Sequence, residues 1–203
     1  MKKTLVSAPN LANAGNPKVG KRSAQSRAEP AFPLAFQNSA VRSSHTLEFR
    51  PIAPLDREFL KQLYGTTREH ELAQTTWSEA EKTAFIEAQF QAQHSYYQQH
   101  FCAANFMLVT ADRNPIGRIY LDRRKHELRL IDIALLPAWR GRGLGTQLLL
   151  ELIEEARARG LPIRIHVERF NPAMRLYLRL GFTPVEDLQV YQLMEWRPDS
   201  PAD

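Results

Sequence analysis

Seven residues constrain this 203-residue chain more than any others: Arg140, Gly141, Arg142, Gly143, Leu144, Gly145 and Thr146, where three glycines join an apolar, β-like run to a strongly helical one. Upstream, residues 128–136 read LRLIDIALL, rich in Leu and Ile with one acid, Asp132, inside the run. Downstream, Leu148, Leu149, Leu152, Ile153 and Ala156 recur at helical spacing, and Glu151, Glu154, Glu155, Arg157 and Arg159 take the other face. The order is strand, glycine-rich turn, amphipathic helix. Glycine lacks a Cβ and lets the backbone approach a ligand, while the first N–H groups of a helix have no partner within it. With the helix dipole added, such a turn favours an anion. Glycines also occupy turns for backbone reasons alone, so the flanking sequence must decide. The turn is neither the dinucleotide fingerprint GxGxxG nor a triphosphate loop ending in GK[ST].

The pattern present is R-x-x-G-x-G, with Arg140, Gly143 and Gly145 in the fixed places. It resembles the pyrophosphate loop of the GNAT acetyltransferase superfamily, where backbone amides hold the diphosphate of acetyl-coenzyme A. A second segment, residues 171–182 (NPAMRLYLRLGF), is similar to the family's N-x-x-A-x-x-L-Y-x-x-x-G-F. Asn171, Leu176, Tyr177, Gly181 and Phe182 match; Ala173 comes one place early and Arg175 precedes Leu176. Between the two segments, residues 161–168 (LPIRIHVE) read as a strand. The resemblance covers about residues 46–197. The stretch from Trp77 through Gln89, Phe90, Gln93, His94 and Tyr97 also resembles a bacterial subgroup of the superfamily, which names no substrate. The resemblance implies an α/β (α+β) fold: a mixed, mostly antiparallel central sheet flanked by helices and splayed at the acyl-CoA site.

Elsewhere the pattern is consistent with one such domain. Residues 45–52 alternate as a first strand, Asp56 is placed to cap a short helix with Phe59, Leu60 and Leu63, and polar residues 65–76 read as a loop. Ser78 and Glu81 form a capping box that opens a helix to about His100. Residues 106–111 and 116–122 form a hairpin, residues 127–136 the next strand, Gly160 and Pro162 end the loop helix, and residues 185 and 190–196 supply terminal strands.

Composition excludes several classes. At 43% hydrophobic residues with no apolar run near the roughly 20 residues of a membrane helix, a soluble, cytoplasmic protein without membrane contact is expected. Cys102 is the single cysteine; it forms no intramolecular disulfide, and a buried, inert thiol is expected. The net charge of +5 divides unevenly: residues 1–45 hold seven Lys or Arg against one acid, and the remainder holds twenty against twenty-one. Residues 1–45 therefore read as a disordered basic extension, with Phe32, Leu34 and Phe36 as an apolar cluster that docks onto the domain or stays free. Residues 46–197 form the domain and 198–203 a tail. Because the domain is near neutral, nucleic acid is not an expected partner. No His, Cys and acid cluster has metal-ligand spacing, so no metal is expected.

Acetyl transfer from a thioester to an amine requires a deprotonated amine, a stabilised oxyanion and a departing thiolate. An amine of the lysine type has a pKa of about 10.4, so a base or a desolvating pocket is needed. The resemblance implies that the strand before the loop supplies the oxyanion donor and cofactor contacts, at Ile133, Ala134 and Leu135. It implies Tyr177 as general acid for the thiolate, against the plainer reading of a packed helix-face aromatic. Asn171 is an N-cap, a contact to the pantetheine arm, or both. Arg140 and Arg142 are solvated loop charges or partners of the diphosphate. Asp132 and Glu168 are the candidate bases; Asp132, inside an apolar run, calls for a partner such as Arg129, Arg164 or a backbone donor. In some histone-modifying relatives the base lies three residues before Asp132, where this chain has Arg129, so that mechanism does not carry over. His166 reads as a packed or surface histidine. On the acceptor side Arg68, Glu69, His70, Glu71, Trp77, Tyr96 and Tyr97 are candidates, with the acids suited to a cationic amine. The expected activity is acetyl-CoA-dependent N-acetyl transfer to a primary amine in a ternary complex. The alternative is a catalytically silent acyl-CoA-binding module, and a homodimer is allowed.

Overall fold

The computed structural model describes residues 46–198. The basic segment 1–45, with Phe32, Leu34 and Phe36, and the residues beyond 198 lie outside the described residues. Seven strands form one sheet: β1 (Leu47–Pro51), β2 (Asn105–Ala111), β3 (Asn114–Arg123), β4 (Leu128–Leu135), β5 (Ile163–Glu168), β6 (Thr183–Leu188) and β7 (Tyr191–Trp196). Their spatial order is β1-β2-β3-β4-β5-β7-β6. Every pairing is antiparallel except β4 with β5, which is parallel. Helices α1 (Arg57–Leu72) and α2 (Glu79–His100) precede β2; α3 (Leu144–Arg159) joins β4 to β5, and α4 (Met174–Arg179) joins β5 to β6. This is the mixed, mostly antiparallel sheet that the sequence implies.

Strand alternation gives the sheet two apolar faces. Ile119, Leu121, Leu130, Ile133, Leu135, Ile163, Ile165 and Val167 pack with the α3 residues Leu148, Leu149, Leu152, Ile153 and Ala156 and with Tyr177 of α4. On the other face Leu108 meets Leu60, Tyr64 and Phe90 of α1 and α2, while Tyr97, Tyr120 and Ile131 form a second cluster. Burying some thirty large apolar side chains at roughly 1.5–3 kcal/mol each supplies the main driving force for the fold.

Local chemistry sets the element ends. Ser78 Oγ accepts from Glu81 N at 3.3 Å and Glu81 Oε2 from Ser78 N at 2.7 Å, the reciprocal capping box of α2. Asp112 and Arg113 take φ of 48° and 67°, a two-residue turn matching the twist of the β2–β3 hairpin. Three expectations need correction. Residues 65–72 are helix, not loop: Thr66 and Thr67 bond back to the carbonyls of Leu63 and Tyr64, and the polar Arg68 is buried by partners elsewhere in the fold. Asp56 occupies the N-cap position of α1 but makes no side-chain cap bond; its carboxylate closes the preceding turn by accepting from Ala53 N and Arg50. Cys102 is exposed, because it follows the C-cap Phe101 of α2 in a surface turn.

Candidate active site

The sheet opens where β4 and β5 part. They pair only from Leu128↔Ile163 to Leu130↔Ile165, after which β4 runs on to Leu135 and β5 to Glu168 without contact in register. The split coincides with a bulge in β4. Leu121 of β3 faces Leu130 and Tyr120 faces Asp132, which leaves Ile131 as the extra residue. Ile131 and Asp132 consequently both turn toward α1 and α2, and alternation resumes with Ile133 and Leu135 in the opposite core. Above the bulge the register is regular, and Leu136 N donates to Ile116 O at 2.8 Å. In an antiparallel ladder alternate residues bond to one side, so Ile133 and Leu135 direct their N–H and C=O groups into the gap and Ala134 bonds to β3. Leu135 O is taken by Arg140 Nε at 2.7 Å. Gly117 keeps β3 close to this stretch, because a Cβ there would collide with Ala134 O and Leu135.

Across the end of β4, a turn at Pro137–Trp139 leads into the glycine loop. Gly143 is the N-cap of α3 with φ of 86°, and a Cβ placed on Gly141 or Gly143 meets nothing within 4 Å. The first bond of the helix is Gln147 N to Gly143 O at 3.0 Å. The N–H groups of Leu144, Gly145 and Thr146 therefore have no partner within the helix, and the dipole of a 16-residue helix stands behind them. The two loop arginines take different places. Arg142 lies over the Trp139 ring at 5.2 Å. Arg140 turns inward: it is 8% exposed and donates to Leu135 O and to Thr66 Oγ1 at 2.6 Å, so it ties the loop to α1.

The second motif closes the far side. Asn171 N bonds to Glu168 O at 2.9 Å and its Oδ1 accepts from Ala173 N at 2.8 Å, which turns the chain from β5 into α4. Tyr177 is fully buried with its ring against Phe182 at 5.6 Å, and its hydroxyl has no hydrogen-bond partner. Burial, with the negative charge of Asp132 in reach, pushes this phenol far above its ordinary value, so it stays protonated.

The two carboxylates differ in setting. Asp132 is completely buried and accepts from Arg118 at 2.8 and 3.4 Å and from the Tyr97 hydroxyl at 3.4 Å. Its partner is thus Arg118, which also donates to Gln93 Oε1 at 2.9 Å, rather than Arg129 or Arg164; those two reach Glu127, and Arg164 also Glu195. The bulge is the reason, since it rotates Asp132 onto the face of β3 that carries Arg118. Burial raises the Asp132 pKa against the opposing pull of Arg118. Glu168 is partly exposed and bonded through Oε1 to Arg68 of α1 at 3.2 Å; burial raises it too, and Arg68 opposes. His166 is held neutral: burial, aided by Arg129, lowers it to about 4. Of the acceptor-side candidates, Tyr97 is buried beside Asp132, Tyr96 stacks on His100, Trp77 packs on Phe85, and Glu69, His70 and Glu71 are exposed. Arg118 is the buried polar residue that sequence reasoning passed over, whereas Arg68 was named only as an acceptor-side candidate and Gln93 only within the subgroup-like stretch. Arg118 carries the same signal as Asp132, a charge inside an apolar run (IGRIYL).

Among the described residues no group of three or more His, Cys, Asp or Glu is placed to hold a metal ion, and no helix is long and apolar enough to cross a membrane. A sequence model of the acetyltransferase (GNAT) family matches residues 67–182, more than half of the chain. The mycothiol acetyltransferase of Thermobifida fusca (strain YX) is 36% identical over 73 residues, 35% of this chain and 19% of that protein, so the match spans about a fifth of the curated relative. Among solved structures, the PaiA N-acetyltransferase of Thermoplasma acidophilum in complex with coenzyme A superposes with a TM-score of 0.58 at 22% identity, over 75% of this chain and 99% of that one. The ribosomal-protein-S18-alanine N-acetyltransferase of Escherichia coli gives 0.52 at 17% identity, over 78% and 97%. At these identities the two structures speak for the fold.

Proposed function

The chain belongs to the acetyltransferase (GNAT) family, and from that premise and the geometry of the gap we propose that it transfers an acetyl group from acetyl-CoA to a primary amine by direct attack in a ternary complex. The observation that carries the reading is the Tyr177 hydroxyl, fully buried and without a partner, in the same core as Ile133 and Leu135. A buried hydroxyl left unbonded costs about 1–3 kcal/mol, and a departing thiolate would supply the acceptor it lacks. The open cradle at Gly141 and Gly143, with the free amides of Leu144, Gly145 and Thr146, suits the diphosphate of the cosubstrate. Arg142 in the same loop and Asn171 in the turn after β5 are the further cosubstrate contacts of this reading, and Arg140 contributes by fixing the loop.

Glu168 serves as the base. It is partly exposed and keeps one carboxylate oxygen clear of Arg68, whereas Asp132 is sealed between Arg118 and Tyr97. Glu168 takes one proton from the acceptor ammonium and passes it to solvent. The neutral nitrogen attacks the thioester carbon, and the oxyanion is met by the outward N–H of Ile133 or Leu135. The C–S bond breaks as Tyr177 gives its proton to sulfur. The second proton of the attacking nitrogen restores Tyr177, and amide, free thiol and one released proton balance the reaction.

The test is release of free thiol from acetyl-CoA across a panel of amines, polyamines, amino acids and peptides. Turnover with at least one amine is expected. Tight acetyl-CoA binding with no thiol release on any acceptor would overturn transfer in favour of a silent acyl-CoA-binding module.

A further inference from the structure

Arg68 sits in the fourth turn of α1 with its side chain 5% exposed. A buried guanidinium is costly unless its donors are met, so its partners show what it is there to hold. It lies over the Tyr64 ring at 5.5 Å, with Nε donating to the Tyr64 hydroxyl at 3.3 Å, and it pairs with Glu71 at 2.9 Å. Those contacts lie within its own helix and Glu71 is mostly exposed, so they alone give no reason for burial. The third partner lies 100 residues away: Glu168, the last residue of β5, at the open end of the gap.

We infer that Arg68 is a positioning residue for the proton-accepting step, clamping the Glu168 carboxylate by one oxygen so that the other faces the acceptor amine in its charged form. The inference rests on the reading of Glu168 as base. The bond engages Oε1 alone, from a guanidinium that Tyr64 and Glu71 prevent from swinging away. The charged and titratable groups around Glu168 are Arg68, Tyr64 and Glu71 from α1, Asp132 from β4 within reach of Arg68, and Tyr191, its register partner on β7. Arg68 favours the ionised carboxylate, and Glu71 opposes it by repulsion and by sharing the same guanidinium. Substituting these two residues must therefore move the ionisation of Glu168 in opposite directions, which a purely structural role does not require.

The experiment is the pH dependence of kcat/KM for the full chain, with acetyl-CoA and an amine that the wild type acetylates. Arg68→Gln is expected to move the acid limb up by about one pH unit, a loss of about tenfold on the acid side that recovers at alkaline pH. Arg68→Lys, which keeps the charge but not the fork held by Tyr64 and Glu71, should move the limb in the same direction by less than Arg68→Gln. Glu71→Gln, a surface change that leaves folding intact, should move the limb down and raise activity on its acid side by about threefold. If Arg68→Gln and Glu71→Gln only scale the profile evenly at every pH, the inference is overturned; should the Arg68 variants not fold, an unmoved limb in Glu71→Gln overturns it alone. Glu168→Gln separates the two levels. A limb that survives that change removes Glu168 as base and this inference with it, whereas a limb lost in Glu168→Gln yet unmoved by the other variants removes only the role of Arg68.

Discussion

Tyr177 combines two facts that pull in opposite directions for stability and function. Its ring is close-packed on Phe182 and completes the core under α3 and α4, yet its hydroxyl is buried without a partner. Removing that oxygen relieves an uncompensated polar group, so Tyr177→Phe is expected to keep the melting temperature unchanged or raise it slightly. In the proposed reaction the same change deletes the proton donor to sulfur, and turnover should fall by about 10²-fold or more while acetyl-CoA affinity by calorimetry stays within about twofold. Unchanged turnover would remove the hydroxyl from the mechanism. Tyr177 was legible in the sequence because its motif fixes its place relative to Asn171, Gly181 and Phe182. The partner of Asp132 was not, because it depends on one unpaired residue, Ile131, and a single-residue shift in register exchanges the faces of a strand. Arg68 was legible only as a loop residue on the acceptor side, and its burial was not, because the carboxylate that justifies it lies 100 residues further on.

The loop and α3 function as one element. Gly143 lies at φ of 86°, where an L side chain is strained, and its Cα faces open space at the start of a helix whose first three N–H groups are free within it. Gly143→Val is therefore expected to lower stability by about 1–2 kcal/mol and to remove most acetyl-CoA affinity, because the branched side chain fills the space proposed for the diphosphate. Urea unfolding and cofactor titration on the same preparation distinguish the two effects; a stable, folded variant with unaltered affinity would count against the loop as the diphosphate site. The strand–loop–helix order was legible because glycine spacing and helical periodicity are local signals. The parting of β4 from β5 is not local. It follows from a parallel pairing that stops at Leu130↔Ile165 and from a bulge, and the sequence reached it only through family resemblance.

At the scale of the molecule, half-buried histidines give the domain an acid sensitivity distinct from that of its carboxylates. His166 sits on β5 facing α1 and α2, where burial and the nearby Arg129 lower its folded pKa to about 4 from an ordinary 6.5. The sign follows from proton counts: between those two values the unfolded chain binds a proton that the folded chain does not, so stability rises with pH through this window and is lost as pH falls. Between pH 7 and pH 5 the loss from this one group is about 2 kcal/mol. Burial beside Arg118 and Arg57 lowers His94 as well, which adds in the same direction. Asp132 and Glu168, both raised by burial, act oppositely, because the folded state then holds protons that the unfolded state has released. Comparing the wild type with His166→Gln isolates the first contribution from the rest. Urea midpoints at pH 7 and pH 5 should differ by less in His166→Gln than in the wild type, by the equivalent of about 2 kcal/mol, with both proteins approaching equal sensitivity below pH 4. An identical pH dependence in the two proteins would mean that His166 is protonated in the folded state at pH 5, and hence that the acceptor-side face of β5 admits more water than its packing implies.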